Sequence, residues 1–98
     1  MFEHIQPLHT KVDKVISTRL GTIILENITR FPLDESNLYC TAEDGEVRWR
    51  AEKPTPDALY TRVKLSEDGE TLSAYTLGGH ACELDLKTGK LLSQTTMQ

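Results

Sequence analysis

The residues that could hold a metal ion are His80 and Cys82, with Cys40 approaching from the other unit. His80-Ala81-Cys82 puts two soft ligands on one face of a strand, but the spacing matches no zinc pattern and Cys82 shares the register of Leu84 and Leu86. Cys82 therefore reads as a small core hydrophobe, and His80, beside Gly79, as a residue flanking a hairpin. Nucleophilic catalysis needs an activated Ser or Cys, a base within reach and a third group to orient that base. Ser17, Ser36, Ser66, Ser73 and Ser93 occupy strand or turn positions without a nucleophile elbow, and His4 and His9 lie in the least patterned segment. Glu43-Asp44 and Glu67-Asp68 are turn acids, and Gly78-Gly79 is explained by a hairpin rather than a phosphate loop. These residues point to no catalytic group, no metal and no cofactor.

One constellation stands apart. Alternation places Tyr39, Arg48, Arg50, Tyr60, Arg62 and Lys64 opposite the apolar residues of their strands. Tyrosine offers contact area at low rotamer cost and arginine a planar fork, so these six form a candidate interaction face. Glu46, Glu83 and Asp85 point the same way, and cross-strand ion pairs with them would occupy the arginines instead. Tyr75 is ambiguous, because in its strand either Leu72 and Ala74 or Tyr75 and Leu77 can face inward.

The elements that must position these residues are strands. Threonine, valine and isoleucine supply 21 of the 98 residues, and β-branched side chains suit a pleated surface. Glu43-Asp44-Gly45, Glu67-Asp68-Gly69 and Lys87-Thr88-Gly89 each end a three-residue hairpin loop in glycine, and Gly78-Gly79 fits a two-residue loop. Between the turns, Leu38, Cys40 and Ala42, then Val47, Trp49 and Ala51, then Val63 and Leu65, then Cys82, Leu84 and Leu86 share a core face. The expected strands span residues 15–20, 22–29, 37–42, 46–51, 60–66, 70–77, 80–86 and 90–96. Trp49 is expected to be largely buried against Leu38 and Cys40.

The fold class is thus all-β, an antiparallel meander of seven or eight strands in two four-strand units within one domain. Residues 1–14 form an N-terminal arm or short helix, 15–51 the first unit, 52–59 a connection carrying Pro54 and Pro56, and 60–98 the second unit. Gly45 and Gly89 stand 44 residues apart in similar surroundings, a period that propeller blades use. Leu84-Asp85-Leu86-Lys87-Thr88-Gly89-Lys90-Leu91-Leu92 resembles the quinoprotein-type (PQQ-like) β-propeller repeat: small or apolar residue, Asp, two residues, Thr-Gly, three residues, Trp. Ser93 stands where that repeat has its docking tryptophan; the first unit keeps Trp49 but has Thr41 for the aspartate and Asp44 for the threonine. The resemblance covers roughly residues 38–50 and 80–93 and implies blade-like hairpins rather than an activity. Two blades cannot close a ring of four or more, so closure would need several chains or a sheet that curls on itself.

Eleven bases against fifteen acids give a net charge of −4, which argues against a nucleic-acid partner. Met1-Phe2-Glu3-His4-Ile5-Gln6-Pro7 lacks a basic region followed by an apolar run, and no stretch is long enough to span a membrane, so a cytoplasmic protein with reduced cysteines is expected. The leading functional expectation is a non-catalytic module that binds a protein partner or itself, through sheet edges and the Tyr/Arg face, as a homo-oligomer with a dimer first. The alternatives are a sugar- or small-molecule-binding propeller assembled from several chains and, on the resemblance alone, a quinoprotein-related enzyme.

Overall fold

Short apolar alternations bounded by glycine turns dictate strands, and the computed structural model, which describes residues 7–96, contains eight of them and no helix among those residues. The first sheet has the order β1 (Val12–Thr18), β2 (Gly21–Glu26), β3 (Leu38–Thr41), β4 (Val47–Arg50); the second has β5 (Tyr60–Leu65), β6 (Thr71–Thr76), β7 (His80–Asp85), β8 (Leu91–Thr96). Every neighbouring pair is antiparallel. Turn acids close the hairpins from their own side chains. Asp44 Oδ1 accepts Glu46 N at 2.9 Å, Asp68 Oδ1 accepts Glu70 N at 2.9 Å, and Asp85 Oδ1 accepts Lys87 N at 3.0 Å.

Two boundaries differ from expectation by three residues, and the others by two at most. β1 starts at Val12, inside the segment expected to be an arm or short helix, because Val12 pairs with Glu26 and Lys14 with Leu25, which carries the ladder with β2 back past Val15. Residues 7–11 form the arm; residues 1–6 of that expectation lie outside the described part. β2 stops at Glu26 rather than residue 29, where Asn27 Oδ1 accepts Thr29 N at 2.8 Å and turns the chain into a loop over residues 27–37.

The two sheets share one core. Ile23, Leu25, Leu38, Cys40 and Ala51 from the first meet Tyr60, Val63, Leu72, Ala74, Cys82, Leu84 and Leu86 from the second. Leu72 and Ala74, not Tyr75 and Leu77, face inward. Polar groups lock the seam. Asn37, fully buried, donates from Nδ2 to Glu26 O (2.8 Å) and Tyr60 O (2.7 Å), and its Oδ1 accepts Tyr60 N (2.8 Å). Its amide thus pairs with the rim of β5 much as another peptide group would. Lys14 Nζ donates to Val63 O at 2.9 Å further along the same rim.

Trp49 packs against the core and is mostly, though not completely, buried, because it stands at the seam and not in the interior of the first sheet. Its indole N–H donates to Leu86 O at 3.0 Å, and its ring lies over Gly89, where an added Cβ would come within 2.3 Å of Trp49 Cε3. Gly89 also has φ +75°, so the turn needs glycine twice over. Glu52 completes this junction: its N–H donates to Gly89 O at 2.8 Å and its Oε1 accepts Leu91 N at 2.7 Å.

Candidate functional site

The structure does not assemble the six residues of the expected Tyr/Arg face. Tyr39 does point away from Cys40, as alternation requires, but it is only 1% exposed. Its hydroxyl donates to Glu26 Oε2 at 2.5 Å, beneath the arm and the 27–37 loop. Tyr60 is fully buried on the core side, for a different reason. The register of β5 shifts between Tyr60 and Arg62, and the bulge at Thr61 puts Tyr60 on the face of Val63 instead of that of Arg62 and Lys64. The Tyr60 hydroxyl donates to Glu52 O at 2.6 Å. Burial pushes both phenols well above the usual tyrosine range, with Glu26 adding to the effect at Tyr39 and Cys82 at Tyr60. Arg48 and Arg50 are exposed on β4, where Arg48 Nη1 donates to Leu20 O at 2.8 Å. Of the six, only Arg62 and Lys64 share a concave site.

That site is a cleft of about 350 Å3 between β1 and β5, lined by Asp13, Lys14, Leu25, Thr61, Arg62, Val63, Lys64 and Tyr75. Both bordering strands are irregular at this point. The register of β1 shifts between Val12 and Lys14 and that of β5 between Tyr60 and Arg62, so Asp13 and Thr61 lie at facing bulges. Bulges re-aim side chains, and next to the one at Asp13 the Lys14 ammonium reaches Val63 O of β5. Asp13 is already engaged, accepting both of its bonds from Asn27 Nδ2 at 3.2 and 3.1 Å. Among the described residues the ion pairs are His9–Glu35 and Arg19–Glu70, so no carboxylate of those residues forms an ion pair with the cations of the cleft.

A second polar centre is closed to solvent. Glu26, wholly buried, accepts His9 N and Thr10 N on Oε1 (3.0 Å each) and Leu8 N and the Tyr39 hydroxyl on Oε2 (2.5 Å each). Burial alone would raise its pKa, but these four donors together outweigh it and hold the carboxyl below the ordinary glutamate value. The group is structural: it ties the arm over the outer face of the first sheet. Sequence reasoning missed it, although a carboxylate in the register of Ile24, ending the run Ile23-Ile24-Leu25, was a usable signal. Asn37 carried no comparable signal.

Two further surfaces are open. β8 is exposed along Leu92–Thr96, with Leu92 at 56%. Leu33 and Leu77, at 56% and 69%, flank an apolar groove bordered by Leu59 and His80. His80 N donates to Thr76 Oγ1 at 3.0 Å, which keeps it within its hairpin. Cys40 and Cys82 are free and buried, and burial raises both thiols above their usual range. Among the described residues no cluster of three or more His, Cys, Asp or Glu could hold a metal, and no helix is long and apolar enough to cross a membrane.

A family model described as "Domain of unknown function (DUF7957)" matches residues 3–96. No curated protein and no solved structure matches the chain.

Proposed function

We propose that this chain, which belongs to the DUF7957 family of domains of unknown function, is a non-catalytic interaction module whose β8 edge pairs with a second copy of itself or with a strand of a protein partner. The observation that carries this reading is the contrast among the four sheet edges. β1 carries Asp13 and Lys14, β4 carries Arg48 and Arg50, and the rim of β5 is sealed by Asn37 and Lys14. These are the devices that stop strands from pairing with other chains. β8, Leu91-Leu92-Ser93-Gln94-Thr95-Thr96, has no charge and no proline, and past Leu91 N its outer edge meets no other element among the described residues. Antiparallel pairing of two β8 strands about a twofold axis would join two four-strand sheets into one of eight, which makes a dimer the first choice.

The same reading takes the two sheets as successive blade-like units of the quinoprotein-repeat type. Its support is Trp49 of one unit lying on Gly89 of the next. A ring of several chains holding a sugar or small molecule has less support, because the arm and the 27–37 loop already cover the outer face of the first unit. A quinoprotein-like enzyme has none beyond the repeat. Two buried free thiols suit a reducing compartment, and the cytoplasm remains our proposed location.

Sedimentation equilibrium at micromolar protein tests the reading. The wild-type chain should weigh twice its 11.1 kDa, and the double variant Leu92→Lys, Gln94→Lys should weigh 11.1 kDa with an unchanged thermal midpoint. A wild-type mass of 11.1 kDa at every dilution removes the dimer; a dimer indifferent to the two lysines removes β8 as its interface.

A further inference from the structure

We propose that the cleft between β1 and β5 binds a small organic phosphate, a phosphate monoester carrying an apolar or aromatic group, with Lys14, Arg62 and Lys64 around the phosphate and Tyr75 against the organic part. Three cations line a cleft whose one carboxylate, Asp13, is turned toward the Asn27 amide. The cleft therefore has an excess of positive charge on a chain whose net charge is −4. Such a local reversal of sign favours a dianion over a monoanion. Arg62 supplies a planar fork matched to phosphate oxygens, and Lys64, two residues on, lies on the same face of β5. Lys14 is held in place by its bond to Val63 O, which leaves two of its three ammonium hydrogens for a ligand.

The apolar side of the cleft is equally defined. Leu25 and Val63, both buried, line the cleft beside Tyr75, which stays partly exposed. The Tyr75 backbone is fixed, since its carbonyl accepts Thr61 Oγ1 at 3.3 Å. A cleft of about 350 Å3 is at the lower end of the range for small-molecule pockets, which suits a single ring or short chain bearing one phosphate. The facing bulges at Asp13 and Thr61 are what hold the strands in this geometry, and bulges of this kind are over-represented beside binding sites. The cleft lies within one chain, so it does not depend on pairing through β8.

Titration of the 15N-labelled chain with phenyl phosphate, followed by amide shifts, tests the proposal. Saturable shifts should be confined to β1, β5 and Tyr75, and affinity should fall as salt is raised. Arg62→Ala and Lys64→Ala should each weaken binding by about tenfold or more, the cost of one charge-assisted hydrogen bond. Because both side chains are exposed, the variants should keep the wild-type spectrum away from the cleft. Inorganic phosphate should bind more weakly than phenyl phosphate, and phenol should not bind. The proposal is overturned if phenyl phosphate gives no saturable shift at millimolar concentration, if the two variants bind as the wild type does, or if inorganic phosphate binds as well as its phenyl ester.

Discussion

The two sheets have the same strand number, order and hairpin logic, yet the first is buried on both faces at its centre and the second on one. All four residues of β3 and the last four of β2 are buried. In the second sheet, β6 and β7 alternate, with Leu72, Ala74, Cys82 and Leu84 inside and Tyr75 and Glu83 exposed. The difference lies outside the strands. Between β2 and β3 the first unit has the 27–37 loop, whereas tight hairpins connect all the strands of the second. The arm adds a further layer, fastened by Glu26. An extended chain needs its backbone amides satisfied when it lies on a sheet face, and one carboxylate satisfies three of them at once. The cover is confined to the centre of the first sheet, since its outer strands β1 and β4 keep exposed residues.

The largest expected effect comes from the residue that holds both sheets together. Asn37→Ala strands the Tyr60 N–H and two carbonyls in a dry seam, and at roughly 1–3 kcal/mol per orphaned group the loss should be about 4 kcal/mol. Denaturant melts should show both sheets unfolding together at a much lower midpoint. If only the first sheet loosens, the seam is not a shared element and the two units are energetically separate.

Next in size is Gly89→Ala, which drives a methyl group into the Trp49 ring and forces alanine to φ +75°. Overpacking and left-handed strain together cost about 3 kcal/mol. Tryptophan emission should shift to the red as the ring leaves the seam. An unchanged emission maximum and midpoint would show that the ring is not seated on Gly89.

Glu26→Gln sharpens the comparison directly, since it weakens the cover of the first sheet alone. An amide must turn an N–H toward donors that need an acceptor, at a cost of about 2 kcal/mol. Hydrogen exchange should quicken at β2 and β3 and stay as it was at β6 and β7; equal acceleration in both sheets would remove the arm as the source of the asymmetry. The effect of pH is smaller and has a definite sign. The folded pKa of Glu26 lies below its unfolded value, so in that window the unfolded chain binds more protons. Its contribution is full above the ordinary glutamate range, about pH 4.3, and is lost as pH falls through the lower folded pKa. Acid titration of stability should show this loss in the wild type, and a flatter profile in Glu26→Gln.

Much of the architecture was legible because it depends on near neighbours. Period-two alternation along Leu38-Tyr39-Cys40 and Cys82-Glu83-Leu84, with acid-rich glycine turns between strands, is enough to place eight strands and most of the core. The same rule failed at Tyr60, because a bulge adds one residue to a strand and reverses every face before it, and Thr61 gives no local sign of doing so. It failed differently at Tyr39, whose direction was right and whose exposure was wrong.

What the sequence by itself determined, then, is the meander: which segments are strands, where they turn, and which side chains of each are apolar. What only the tertiary structure decided is how the units meet: Asn37 reaching from one sheet to the rim of the other, Trp49 settling on Gly89, the arm closing over Tyr39, and Lys14 coming beside Arg62 and Lys64. Strand and turn propensities act over two to four residues and leave a local periodic trace, whereas these contacts join residues 23 to 50 positions apart. Whether a polar side chain finds its partner at that distance depends on sheet packing and bulge register, which no short window of sequence records.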